Sequence, residues 1–188
     1  MKKLTLLIFL LIPFASAEIS ITEIMYNPDG DDNNKEYIEV YSDKELDNYS
    51  IEDLSSLDYL EKINNFTSNF SLIVEEGFNF SGVSANIYSV GATIGNNLNN
   101  DKDSIVLRNP EGNIVDAISY SKEIGGEGQS LCIDKKKIIS ECVPTPGYSN
   151  LDVVYSIRIN EFLPNPSGED DALMPAGEWV ELYNYGNF

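Results

Sequence analysis

Asp29, Asp31, Asp32, Asn33 and Glu36 put five oxygen-bearing side chains within eight positions of one another. Asp29, Asp31 and Asn33 alternate as the opening of a calcium loop does. Calcium takes about six to eight oxygens, and carboxylates, Asn amides and backbone carbonyls supply them. Counted from Asp29, the sixth residue is not glycine and the twelfth is not glutamate, so the EF-hand pattern is not met. The plainer expectation is a solvated acidic turn that needs no ion, with no cofactor. Calcium in this loop is the one cofactor alternative.

Glu23 is a second candidate. Counted in steps of two, it falls in phase with Ile19, Ile21 and Met25, which an uninterrupted strand sends to one face. A carboxylate in a core register must be paired, hydrogen-bonded or metal-bound, because a bare buried charge costs several kcal/mol. The plainest expectation is that Glu23 caps N–H groups of the turn that follows it. Glu161 repeats the arrangement, in phase with Ile157, Ile159 and Leu163.

The chain has no histidine. That removes Ser-His-Asp and Cys-His catalysis, histidine acid–base chemistry and His-ligated zinc from this chain. No catalytic constellation is expected, and the chain is read as not an enzyme. Cys132 and Cys142 are the two cysteines. In an exported chain such a pair reads as a disulfide, with two unpaired thiols as the alternative. Asn48, Asn65, Asn69 and Asn79 each begin an N-x-S/T sequon, while Pro166 disqualifies Asn165. Tyr37, Tyr41, Trp179 and Tyr183 alternate with apolar residues. Core or edge packing explains them more simply than a carbohydrate-stacking platform.

Lys and Arg number 12 against 31 Asp and Glu, a net charge of −19 over 188 residues. Such a chain repels phosphate backbones, so a nucleic-acid partner is not expected. Residues 1–17 read as a signal peptide: Lys2 and Lys3, the apolar run Leu4 to Phe14, then Ala15-Ser16-Ala17 as the cleavage pattern. The run is short of the roughly 20 residues a membrane span needs, so the expected location is secreted or cell-surface, with no transmembrane segment in the mature chain.

The elements that must position these residues are strands. Glu36 to Tyr41, Ser71 to Val74 and Ala85 to Val90 are short β-rich runs. Ser104 to Leu107 and Asn113 to Tyr120 flank Arg108-Asn109-Pro110-Glu111-Gly112 as a hairpin. Ser130 to Ile133 and Ile138 to Cys142 flank Asp134-Lys135-Lys136-Lys137, which puts the cysteines on opposite arms of a second hairpin. The one weak helical signature runs from Asp53 to Ile63. Short strands with frequent polar turns predict an all-β sandwich.

The turn-rich stretch Pro144 to Asn150 ends a first domain, 18–150. A repeat follows. Ile19-Ser20-Ile21-Thr22-Glu23-Ile24-Met25-Tyr26-Asn27-Pro28-Asp29-Gly30 returns as Ile157-Arg158-Ile159-Asn160-Glu161-Phe162-Leu163-Pro164-Asn165-Pro166-Ser167-Gly168. Glu36 to Tyr41 returns as Glu178 to Tyr183. Glu169, Asp170 and Asp171 occupy the place of the first acidic loop. Residues 151–188 are thus expected to be an incomplete second repeat.

These motifs resemble the lamin tail domain. The opening I-x-I-x-E-I-M-Y-N-P-D-G with its acidic loop and E-Y-I-E-V-Y carry the likeness. So do Asn99 to Leu107, Gly112 to Tyr120, Gly128 to Leu131 and the closing Thr145 to Asn150. It departs at Tyr49, where tryptophan is common, and across Asp53 to Gly77. The resemblance implies an immunoglobulin-like β-sandwich on secreted or surface proteins, and no reaction. The function it implies is non-catalytic binding, adhesion or spacing, with an extracellular protein or glycan as partner. The alternative is an accessory domain of an exported hydrolase or nuclease whose catalytic part lies elsewhere. Fold alone does not fix function.

Overall fold

The computed structural model describes residues 19–53, 55–150 and 157–184. The expected signal peptide lies outside these residues. The chain divides into two units, Met1–Tyr148 and Ser149–Phe188.

The first unit is all-β. Its strands are β1 (Ile19–Met25), β2 (Tyr37–Ser42), β3 (Ser50–Glu52), β4 (Leu57–Tyr59), β5 (Glu61–Lys62), β6 (Phe70–Val74), β7 (Asn86–Ser89), β8 (Lys102–Arg108), β9 (Ile114–Ser121), β10 (Ser130–Ile133) and β11 (Ile139–Cys142). A seven-stranded sheet runs β11-β10-β1-β2-β6-β7-β5 and a four-stranded sheet runs β4-β3-β8-β9. Ile21, Ile24, Ile38, Val40, Ile73 and Tyr88 of the first sheet share one buried cluster with Ile51, Ile105, Leu107, Ile118 and Tyr120 of the second. The two sheets therefore pack across a common core, the arrangement expected of strands with one apolar face each.

No helix forms among the described residues of Asp53 to Ile63. The buried Asp53 carboxylate accepts the N–H groups of Ser55 and Ser56, both at 2.6 Å. That local turn diverts the backbone from helical bonding, and the chain returns along β3 as β4.

The seven-stranded sheet has a second buried cluster on its other face, with Met25, Tyr37, Leu72, Val74, Ala85 and Ile87, covered by Phe78 and Val83. Residues 75–85 form the crossover that joins the parallel pair β6 and β7 and supply that cover. Both faces of this sheet are thus buried around β6, which explains why Leu72, Ile73 and Val74 run unbroken rather than alternating.

The second unit contains, among its described residues, one antiparallel hairpin of β12 (Ile157–Leu163) and β13 (Trp179–Asn184). No helix of the described residues is long and apolar enough to cross a membrane.

Candidate functional site

A β-bulge decides where Glu23 points. Ile21 pairs with Val40, but Glu23 pairs with Glu39 and Ile24 with Ile38. Paired residues share a face and successive residues alternate. Ile21, Val40, Ile24 and Ile38 all face the inter-sheet core, so the extra residue at Thr22 turns Glu23 to the opposite face. The phase argument that placed Glu23 beside Ile19 and Ile21 is corrected there. The N–H of Ile21, at the bulge, donates to Asp116 Oδ2 at 2.7 Å. Asp116 in turn receives the Lys137 ammonium.

Glu23 and Glu39 are neighbours on the outer face, both fully buried. The Tyr37 hydroxyl donates to Glu23. The Thr145 N–H and hydroxyl also donate to Glu23, at 3.0 and 2.7 Å. The Thr22 hydroxyl donates to Glu39 at 2.7 Å, and the Gly147 N–H donates to it at 2.8 Å. The two carboxylates therefore clasp the Thr145-Pro146-Gly147 turn that closes the unit. Glu23 does satisfy backbone N–H, but at the closing turn 122 positions away rather than at the turn that follows it. Burial pushes the Glu39 carboxyl up to about 8, against the donors from Thr22 and Gly147. Burial and Glu23 push the Tyr37 hydroxyl up, so it stays protonated and donating.

The side chains of the acidic loop take different partners rather than one common centre. Asp31 Oδ1 accepts the Asn33 N–H at 3.1 Å and the Asn33 side-chain amide at 2.5 Å. Asp32 Oδ2 accepts the Asn100 side-chain amide at 3.2 Å. Asp29 is exposed, and its carbonyl accepts the Lys35 ammonium at 2.8 Å. Glu36 turns inward and is fully buried, with Oε2 accepting the Leu98 N–H at 3.2 Å and Oε1 without a hydrogen-bond partner. Burial pushes the Glu36 carboxyl up to about 8; the Leu98 N–H opposes this, and the charges of Glu75, Asp32 and Asp103 add to it. Glu75 is itself raised by burial while accepting the Asn34 N–H at 2.6 Å. Among the described residues, no group of three or more Cys, Asp or Glu side chains is arranged to hold a metal ion.

Cys132 and Cys142 are bonded across the β10–β11 hairpin, with Cα atoms 5.9 Å apart, inside the usual range of about 4.4–6.8 Å. Tyr37 and Tyr41 pack edge-on against Phe78 and Phe70. The sequon residues Asn48, Asn65, Asn69 and Asn79 are all exposed.

Sequence reasoning missed Glu39 and Asp116. Glu39 carries a signal, because Glu181 stands at the matching position of Glu178 to Tyr183. Asp116 carries none, since the bulge it bonds at Ile21 is 95 positions away.

The second hairpin follows the register of the first. Ile159 pairs with Leu182, Glu161 with Glu181 and Phe162 with Val180, and its bulge also falls between the isoleucine and the glutamate. The Asn160 side-chain amide donates to Glu181 as Thr22 donates to Glu39. Ile159, Phe162, Val180 and Leu182 are exposed here. An open depression of this unit is lined by Phe162, Leu163, Pro164, Glu178, Trp179 and Val180. Comparison with family models, with characterised proteins and with solved structures returned no match.

Proposed function

We propose that this chain is an exported, non-catalytic binding or spacing module built from lamin-tail-like, immunoglobulin-like sandwiches in tandem. The observation that carries the reading is the recurrence of one hairpin: same register, same bulge, same facing glutamates, in two units. A bulge repeated at one position is a feature of a duplicated domain rather than of chance strand pairing. Export is supported by the disulfide and by the leader-like composition of residues 1–17. The large acidic excess makes an extracellular protein or a glycan a better partner than a polyanion.

The test is retention. The full chain, immobilised, is exposed separately to envelope polysaccharide and to envelope protein from the cells that make it. The proposal expects saturable binding of one of them, with the bound material recovered at unchanged mass. Absence of retention overturns the binding role and leaves spacing, whereas cleavage of the bound material overturns the non-catalytic reading itself.

A further inference from the structure

Four sequons are equivalent as sequence and unequal as structure. Asn48-Tyr49-Ser50 ends on the first residue of β3; Tyr49 and Ser50 are buried and Ser50 pairs with Tyr59 and Arg108. Asn69-Phe70-Ser71 ends inside β6, between β2 and β7, with Ser71 fully buried and its hydroxyl accepting the Asn86 amide at 3.3 Å. In both, the serine that completes the sequon is buried and its backbone is paired in a sheet ladder. Asn65-Phe66-Thr67 and Asn79-Phe80-Ser81 lie between strands, and all three residues of each are exposed. Asn79 already sits in a tight turn, its Oδ1 accepting the Ser81 N–H at 3.1 Å.

We propose that Asn65 and Asn79 carry N-linked glycans in the mature protein and that Asn48 and Asn69 do not. This rests on the export reading, because the transferase and its donor stand outside the cytoplasm. Glycosylation of Asn-x-Ser/Thr places a bulky, hydrated group that only a surface can hold. A transferase acting on the folded chain must reach the asparagine amide and the hydroxyl two residues on together, so exposure of one without the other is insufficient there. In the transfer, the Asn side-chain nitrogen forms a bond to the anomeric carbon of a sugar carried on a lipid pyrophosphate. The bond from that carbon to the pyrophosphate oxygen breaks, lipid pyrophosphate leaves with the electron pair, and the amide loses one proton.

The two sites fall on one flank. Asn79 lies in the 75–85 crossover that covers the outer cluster. Asn65 adjoins Asn64, whose amide donates to the Ala85 carbonyl and whose Oδ1 accepts the Ile87 N–H, both at 2.9 Å. Phe66 and Phe80, 43% and 36% exposed, are the aromatic residues beside the acceptors, and the attached sugars shield them from water. Glycans here leave the four-stranded sheet as an open surface.

The experiment is site mapping on the full chain purified from its native cells. No lysine or arginine stands between Lys62 and Lys102, so cleavage after Glu75 or Glu76 is used to part Asn79 from Asn65 and Asn69, and cleavage after Phe66 parts those two. The expected result is sugar on Asn65 and Asn79 alone, with the double variant Asn65→Gln, Asn79→Gln running at the mass of the bare chain. A bare Asn65 or Asn79, or sugar on Asn48 or Asn69, overturns the inference. Thiol titration of the same sample separates the two failures: missing glycans with Cys132 and Cys142 bonded sink this inference alone, whereas missing glycans with free thiols sink the export reading as well.

Discussion

Glu36 makes the stability of the first unit fall as pH rises. Its carboxyl is fully buried, has one N–H donor, and faces the charges of Glu75, Asp32 and Asp103. Its pKa is raised from 4.5 to about 8. A folded-state pKa above the unfolded value means the native state binds the proton more tightly. The stabilisation is then complete below about pH 4.5 and is lost as pH rises through about 8. At about 1.4 kcal/mol per unit, the loss is about 3 kcal/mol by pH 7 and at most about 5 kcal/mol above pH 8. That is large beside a domain stability of roughly 5–15 kcal/mol. Glu36→Gln keeps an oxygen for the Leu98 N–H, supplies amide hydrogens toward the neighbouring carboxylates, and cannot ionise. Urea unfolding followed by far-ultraviolet circular dichroism at about pH 5, 7 and 9 measures the effect. The variant should lie within about 1 kcal/mol of the parent at pH 5 and exceed it by about 4 kcal/mol at pH 9. Parallel stability curves for the two proteins would refute the reasoning.

Glu39 is raised for the same first cause, burial, so Glu39→Gln should also flatten the pH profile, and the two substitutions should add because their hydrogen-bond partners are separate. Gly95 has φ +62 and a Cβ there would stand 2.1 Å from Asp53 Oδ2; Gly95→Ala should destabilise by about 2 kcal/mol or more in the same assay, and a neutral result removes the Asp53 turn from the account. Replacing Cys132 and Cys142 by serine frees a loop with a sequence separation of 10 and should lower stability by about 2–3 kcal/mol, read as a lower urea midpoint. With Asp31 on Asn33, Asp32 on Asn100 and Glu36 turned inward, millimolar calcium at fixed ionic strength should leave the melting midpoint unchanged; a rise abolished by Asp29→Ala with Asp31→Ala would instead place an ion in the loop.

Much of the fold was legible because it is local. Alternation in Ser104 to Leu107 and Asn113 to Tyr120, around a proline–glycine loop, announced β8 and β9, and both cysteines stood where their hairpin needed them. What stayed hidden depends on distant partners. Three consecutive apolar residues in β6 do not reveal a parallel partner, and nothing in the Thr22 neighbourhood reveals a bulge. Without the bulge, simple alternation sends Glu23 to the wrong face. The helical spacing of Asp53 to Ile63 was outweighed by one side chain, Asp53, whose carboxylate takes two nearby amides. Five oxygens crowd the acidic loop in sequence, a spacing that suits a solvated turn as well as a cation, and sequence alone does not show that Glu36 turns inward while Asp29 stays exposed.

Intact-cell labelling tests the proposed exported module most directly. A membrane-impermeant amine reagent is applied to unbroken cells, and the chain is recovered and mapped at exposed lysines such as Lys44 and Lys135. The account predicts labelling before lysis, with Cys132 and Cys142 bonded. Labelling only after lysis, with both thiols free, would contradict it.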